Sequence, residues 1–151
     1  MSRKTFPIAA IILSFAVSFS ANAQEAEKEA IKQVVMKETE SYLAVDLETW
    51  TSTWLPVPYA YWSFSDSNGT QFIDGWDNIQ NTFADYFKNQ KPSRSKLSYT
   101  WLEIRVYGTG AYVRFKEKQV GNNTIEETNQ IRVLEKKDGK WKVVCMSAIV
   151  Q

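Results

Sequence analysis

The stretch Ile131-Arg-Val-Leu-Glu-Lys-Lys-Asp-Gly-Lys-Trp-Lys-Val-Val-Cys145 constrains the fold more than any other part of the chain. Asp138-Gly139 lets the backbone take the positive φ angles of a tight hairpin turn. On either side, Ile131, Val133, Trp141 and Val143 recur at the two-residue period of half-buried strands. The same stretch contains no histidine, and neither does the rest of the chain. The hairpin therefore argues for a sheet, while the missing imidazole narrows the chemistry that the sheet can carry.

Upstream, residues 25–45 predict a helix with Ile31, Val34, Val35, Tyr42 and Val45 on one face and Glu38 on that same face. Asp46 fits the N-cap of a short second helix carrying Leu47, Trp50 and Trp54, which Pro56 and Pro58 end. Residues 59–64 read as an aromatic strand, followed by a turn at Asp66-Ser-Asn-Gly69 and a second extended piece at residues 71–73. A third helix is expected from about Trp76 to Asn89, with Ile79, Phe83, Tyr86 and Phe87 as its buried stripe. Long strands follow over residues 97–107, 111–118, 124–136 and 140–150, with turns at Gly108-Thr-Gly110, Gly121-Asn-Asn123 and Asp138-Gly139. Helices first and an antiparallel meander afterwards make an α+β domain.

The first residues have the pattern of an export signal: Arg3-Lys4, an apolar run from Ile8 to Phe19, then Ala21-Asn-Ala23, with cleavage expected after Ala23. The run is short for a membrane span. Residues 24–151 then form a single domain, soluble after cleavage and placed in a bacterial periplasm or outside the cell, with no membrane attachment. Removal of Arg3 and Lys4 leaves 16 basic against 17 acidic residues, a balance that disfavours nucleic acid as a partner. The single Cys145 has no partner for an internal disulfide and is expected as a core residue. No metal site is expected, because the most used nitrogen ligand is missing and one cysteine cannot build a thiolate site. Neither a phosphate loop nor a dinucleotide fingerprint occurs, so no cofactor is expected.

Several signatures together resemble a known superfamily: Glu38-Thr39, Asp46 with Trp50 and Trp54, Pro58-Tyr59, Gly75-Trp-Asp-Asn-Ile79, and Val133 to Val144 around the hairpin turn. They are similar to nuclear transport factor 2-like, or SnoaL-like, proteins, above all the small exported bacterial members of unassigned activity. The resemblance implies a cone-shaped, curved mixed or antiparallel sheet packed around three helices in a cystatin-like roll. It also implies a pocket at the wide mouth and homodimerisation through the sheet. The superfamily holds isomerases, cyclases, dehydratases and non-enzymes, so the fold leaves the chemistry open.

The isomerases of that superfamily use an aspartate in the segment after the second helix, where this chain has Pro58-Tyr-Ala-Tyr-Trp-Ser-Phe64. Relatives with a histidine late in the last strand are matched here by Cys145 and Ser147. Two carboxylates remain as candidates for proton transfer. Glu38, on an apolar helix face, is either a desolvated base or a structural charge paired with Arg105, Arg114 or Arg132. Glu103 lies in line with Tyr99 and Trp101 on one face of its strand, and it reaches a pocket if that face is concave or is solvated if it is not.

Aromatic residues make up 14% of the chain, and Trp50, Tyr61, Trp76, Tyr99, Trp101 and Tyr112 are the candidates for lining a ligand cleft. The expected function is binding of a small amphipathic or aromatic molecule without catalysis, by a protein that also forms a homodimer. The alternatives are a lyase or isomerase using Glu38 or Glu103, and a dimeric structural or partner-binding module. An arginine fork closing off Glu38 would weigh against the enzyme.

Overall fold

The computed structural model describes residues 9–121 and 124–151, with side chains from residue 23 onward. Arg3 and Lys4 of the expected signal and most of the turn expected at residues 121–123 lie outside the described residues. The described residues form three helices: α1 (Ala9–Leu43), α2 (Leu47–Thr53) and α3 (Trp76–Lys88). Strands β1 (Tyr61–Asp66) and β2 (Gly69–Asp74) separate α2 from α3, and β3 (Lys96–Tyr107), β4 (Gly110–Val120), β5 (Ile125–Lys137) and β6 (Lys140–Val150) follow. The cleavage expected after Ala23 falls within α1. Among the described residues, no helix is long and apolar enough to cross a membrane.

All strands join one sheet in the order β2-β1-β6-β5-β4-β3. Only β1 and β6 run parallel; every other neighbouring pair is antiparallel. The result is an unclosed, curved mixed sheet with the helices against its concave face, an α+β architecture. The hairpin turn forms as expected, with Asp138 at φ 50° and Gly139 at φ 76°.

The end of α1 lacks the usual glycine. Asp46 N–H donates to the Ser41 carbonyl at 2.9 Å and Val45 N–H to Tyr42 at 3.1 Å, the double closure that ends a helix through a left-handed residue. Val45 takes that place with φ 58°, unusual for a β-branched side chain. Asp46 then caps α2, its Oδ1 accepting from Thr49 N–H at 2.9 Å. This compact corner brings Trp50 beneath Glu38.

Two bulges decide which side chains face inward. On β3, Trp101 pairs with Phe115 but Glu103 pairs with Arg114, so Leu102 is the extra residue and the alternation reverses. On β6, Val133 faces Cys145 while Leu134 faces Val143, so Val144 is extra. Trp141 and Val143 point inward as expected, but beyond the bulge Met146 and Ala148 continue the inward row. Cys145 is half-buried on the outer side rather than in the core.

On β5 the expected inward set is corrected. Thr128, Gln130, Arg132 and Leu134 are the buried residues, and Ile131 and Val133 are only half-buried on the opposite face. Apolar periodicity failed here because the inward positions toward the mouth are polar and answer one another.

A boundary between chemistries crosses the whole concave face. Along α1, Ile31 and Val35 give way to Glu38 and Thr39; along β4, Val113 and Phe115 give way to Glu117; along β5, Leu134 gives way to Arg132 and Gln130. One end of the cone is solid with Trp54, Trp141 and Val143. The other end carries the candidate site.

Candidate functional site at the mouth of the cone

A cavity of about 100 Å³ opens at that mouth. Tyr42, Trp50, Trp62, Phe64 and Met146 supply aromatic and soft apolar wall, and Glu38, Glu117, Thr128, Gln130 and Arg132 supply polar floor. A second recess of about 280 Å³ shares Tyr42, Trp62 and Phe64 and runs on between β2 and α3, past Asp66, Gln71, Thr82 and Tyr86. The stacked pair Tyr42 and Tyr86, with centroids 5.5 Å apart, stands between helices α1 and α3.

Glu38 is nearly inaccessible and fully engaged. Its Oε2 accepts from Arg132 Nη2 at 2.9 Å and Nε at 3.2 Å, and its Oε1 accepts from Trp50 Nε1 at 3.2 Å. Arg132, 1% exposed, spends its remaining nitrogen on the Gln130 side-chain oxygen at 2.8 Å and the Ile131 carbonyl at 3.1 Å. Gln130 in turn donates to Thr128 Oγ1 at 2.8 Å. Of the three arginines weighed as partners, parity selects Arg132. Arg105 and Arg114 sit on the outer face, where Arg105 pairs with Glu103 at 3.3 Å. A carboxylate closed by a fork in this way holds two elements together and has no free oxygen for a substrate proton.

Glu117 is the residue that sequence reasoning missed. It is 7% exposed, and among the described residues its only hydrogen-bond donor is Thr39 Oγ1, at 3.2 Å on Oε2. Burial, opposed by the charge of Arg132, pushes its carboxyl up to about 7. Tyr99 lies across the strand pair from it, with a buried hydroxyl that has no hydrogen-bond partner. Burial, and then the proximity of Glu117, hold that phenol well above its ordinary value. The signal for Glu117 was present in the sequence: β4 alternates Val113, Phe115, Glu117, and the third member of an inward row is inward whatever its polarity.

The expected lining residues are dispersed. Trp50 lines the cavity. Tyr99 and Trp101 stack at 5.7 Å on the concave side, packed against Phe115 rather than along the cavity wall. Trp76 is buried beneath Trp50 and Trp54 and borders a groove by the Pro56 and Pro58 loop. Tyr61 pairs with Cys145, placing it on the outer face. Tyr112 borders an outer depression with Glu103, Arg105, Tyr107 and Arg114. The β3 bulge thus turns Glu103 away from the cavity, on the side opposite Trp101.

No protein-family model matches the chain, and no curated protein matches it. Solved structures do. A nuclear transport factor 2-like protein of unknown function from Shewanella oneidensis superposes with a TM-score of 0.65 at 22% identity, over 82% of this chain and 98% of that one. A protein of unknown function from Mycobacterium tuberculosis gives 0.69 at 16% identity, over 87% of this chain and 75% of that one. A protein named as a candidate ketosteroid isomerase, from Parabacteroides distasonis, gives 0.59 at 13% identity, over 78% and 85%. With the helices, the mixed sheet and the mouth cavity in place, these likenesses establish that the chain has the nuclear transport factor 2-like fold.

Proposed function

We propose that the protein is an exported carrier or sensor that binds a small amphipathic molecule at the mouth of the cone, without chemical turnover. The observation that carries the reading is the cavity itself: aromatic walls from Tyr42, Trp62 and Phe64 above a buried polar floor in which Glu117 retains an unengaged oxygen. Such a mixture of apolar wall and few, fixed polar points is what small-ligand sites use. The test is native mass spectrometry of protein purified from its host, followed by titration of tryptophan fluorescence, since Trp50 and Trp62 both line the cavity. A bound organic molecule whose removal changes the fluorescence is expected. A protein that never carries a ligand overturns the reading. Export is supported by Arg3-Lys4, the apolar run and Ala21-Asn-Ala23, and amino-terminal sequencing of the mature protein should begin at Gln24. Pairing of two copies through the outer sheet surface belongs to the same proposal; exposed Leu102 and Ile149 support it, and light scattering of a monomer would remove it.

A second reading, proton transfer, is favoured by one observation: Glu117 lines the cavity with one oxygen unengaged and its carboxyl pushed up to about 7 by burial, as suits a general base. Its signature is turnover of a carbonyl compound that fails in Glu117→Gln.

A further inference from the structure

We infer that the ligand of this cavity carries a positive charge, a protonated amine seated against Glu117 with its hydrocarbon or aromatic body along Trp62 and Phe64. The inference rests on the ligand-binding reading and names the chemistry of the ligand. Three carboxylates, Glu38, Glu117 and Glu126, and one guanidinium, Arg132, line the cavity. The adjoining recess adds Asp66 and no cation. Arg132 is largely committed, since four of its five N–H groups already donate to Glu38, Gln130 and the Ile131 carbonyl. An anionic ligand would therefore meet a guanidinium with one N–H left, its charge already paired with Glu38, and surplus negative charge around it.

Strand alternation removes the nearest lysines. Lys116 and Lys118 flank Glu117 on β4 but project from the other face, where Lys118 is held by Glu127 at 2.8 Å. The groups facing Glu117 are Thr39 from α1, Tyr99 from β3, Glu126 and Arg132 from β5, and Glu38 behind Arg132. Among the described residues only Thr39 donates to it. A neutral hydroxyl could donate to the unengaged oxygen, but it would leave the carboxylate uncompensated in a desolvated site. An ammonium would donate and neutralise at once, and aromatic faces of Trp62, Phe64 and Tyr42 attract a cation as well.

Three probes of nearly equal shape separate the possibilities: phenethylamine, phenethyl alcohol and phenylacetate, titrated by calorimetry near pH 8, where an aliphatic amine remains protonated. The amine is expected to bind about tenfold more tightly than the alcohol, the advantage of a charged over a neutral hydrogen bond, and phenylacetate more weakly than either. In Glu117→Gln, checked for native circular dichroism, the preference for amine over alcohol should fall to about unity with alcohol binding retained. Equal or tighter binding of the alcohol or the acid, or a preference that survives Glu117→Gln, overturns the charge assignment. So does a host ligand without a basic nitrogen, which leaves the pocket reading standing. Absence of both a host ligand and any probe binding overturns the two together.

Discussion

The closed end of the cone and its mouth share α1, β4, β5 and β6, and along those elements they differ in the side chains that point inward. At the closed end Val35, Phe115, Leu134 and Val143 meet over Trp54 and Trp141. One or two inward positions further along, α1, β4 and β5 present Glu38, Glu117 and Arg132. Backbone geometry is continuous across that line. The difference teaches that the fold is held by its apolar end, whereas the mouth spends stability on buried polar groups, an expense ordinarily tolerated where a site is needed.

The sharpest way to break the comparison is to remove one partner on each side of the line. Phe115→Ala should cost about 3–5 kcal/mol through the cavity it leaves. Arg132→Met should cost a similar about 3–5 kcal/mol for another reason, because it strands the Glu38 charge. Chemical denaturation of a second variant, Glu38→Leu with Arg132→Met, separates the two causes. It should recover most of the loss, whereas nothing polar can rescue Phe115→Ala. If the double variant is no better than the single one, the ion pair is not the reason.

Glu117→Gln should act in the opposite direction, and with a pH signature. The folded protein holds the Glu117 proton up to about 7, against 4.5 for the free group. Wild-type stability from this group is therefore full below the unfolded value and is lost as pH rises through about 7. The glutamine variant should gain about 2–3 kcal/mol over wild type near pH 8 and nothing near pH 4, read from urea midpoints. A gain that is constant with pH would mean that burial of the charge is not its source.

Tyr99→Phe removes a buried hydroxyl without a partner and should stabilise by about 1 kcal/mol in the same measurement. Asp46→Ala, away from the line, should cost about 1 kcal/mol by uncapping α2. A far larger loss would show that the α1–α2 corner supports the mouth as well as the helix end.

Much of the scaffold was legible from residues alone. Asp138-Gly139 announced the hairpin because few residue pairs accept its φ angles, and Asp46 announced α2 because a short carboxylate suits an N-cap. The apolar pattern carries α1 on to residue 45, two residues past its end at Leu43, since Val45 fills a left-handed position that sequence patterns assign to glycine. The site was less legible. Glu38 was singled out, but its partner among three arginines depended on the parity of β5. Glu103 was placed with Tyr99 and Trp101 by simple alternation, which the extra residue Leu102 reverses. Glu117 stands between Lys116 and Lys118, and residue type by itself does not set it apart from an exposed run of charges.

The sequence by itself determined the element order, the turns at Asp66-Ser-Asn-Gly69, Gly108-Thr-Gly110 and Asp138-Gly139, the lack of histidine and of a second cysteine, and a fold class that structural likeness bears out. These depend on local backbone preference and on residue type, which are present in any stretch of chain. Tertiary structure alone decided which side of each strand faces inward past the two bulges, that Arg132 is consumed by Glu38, and that Glu117 is buried with an oxygen to spare. Those outcomes depend on register and desolvation, which exist only once distant segments have met.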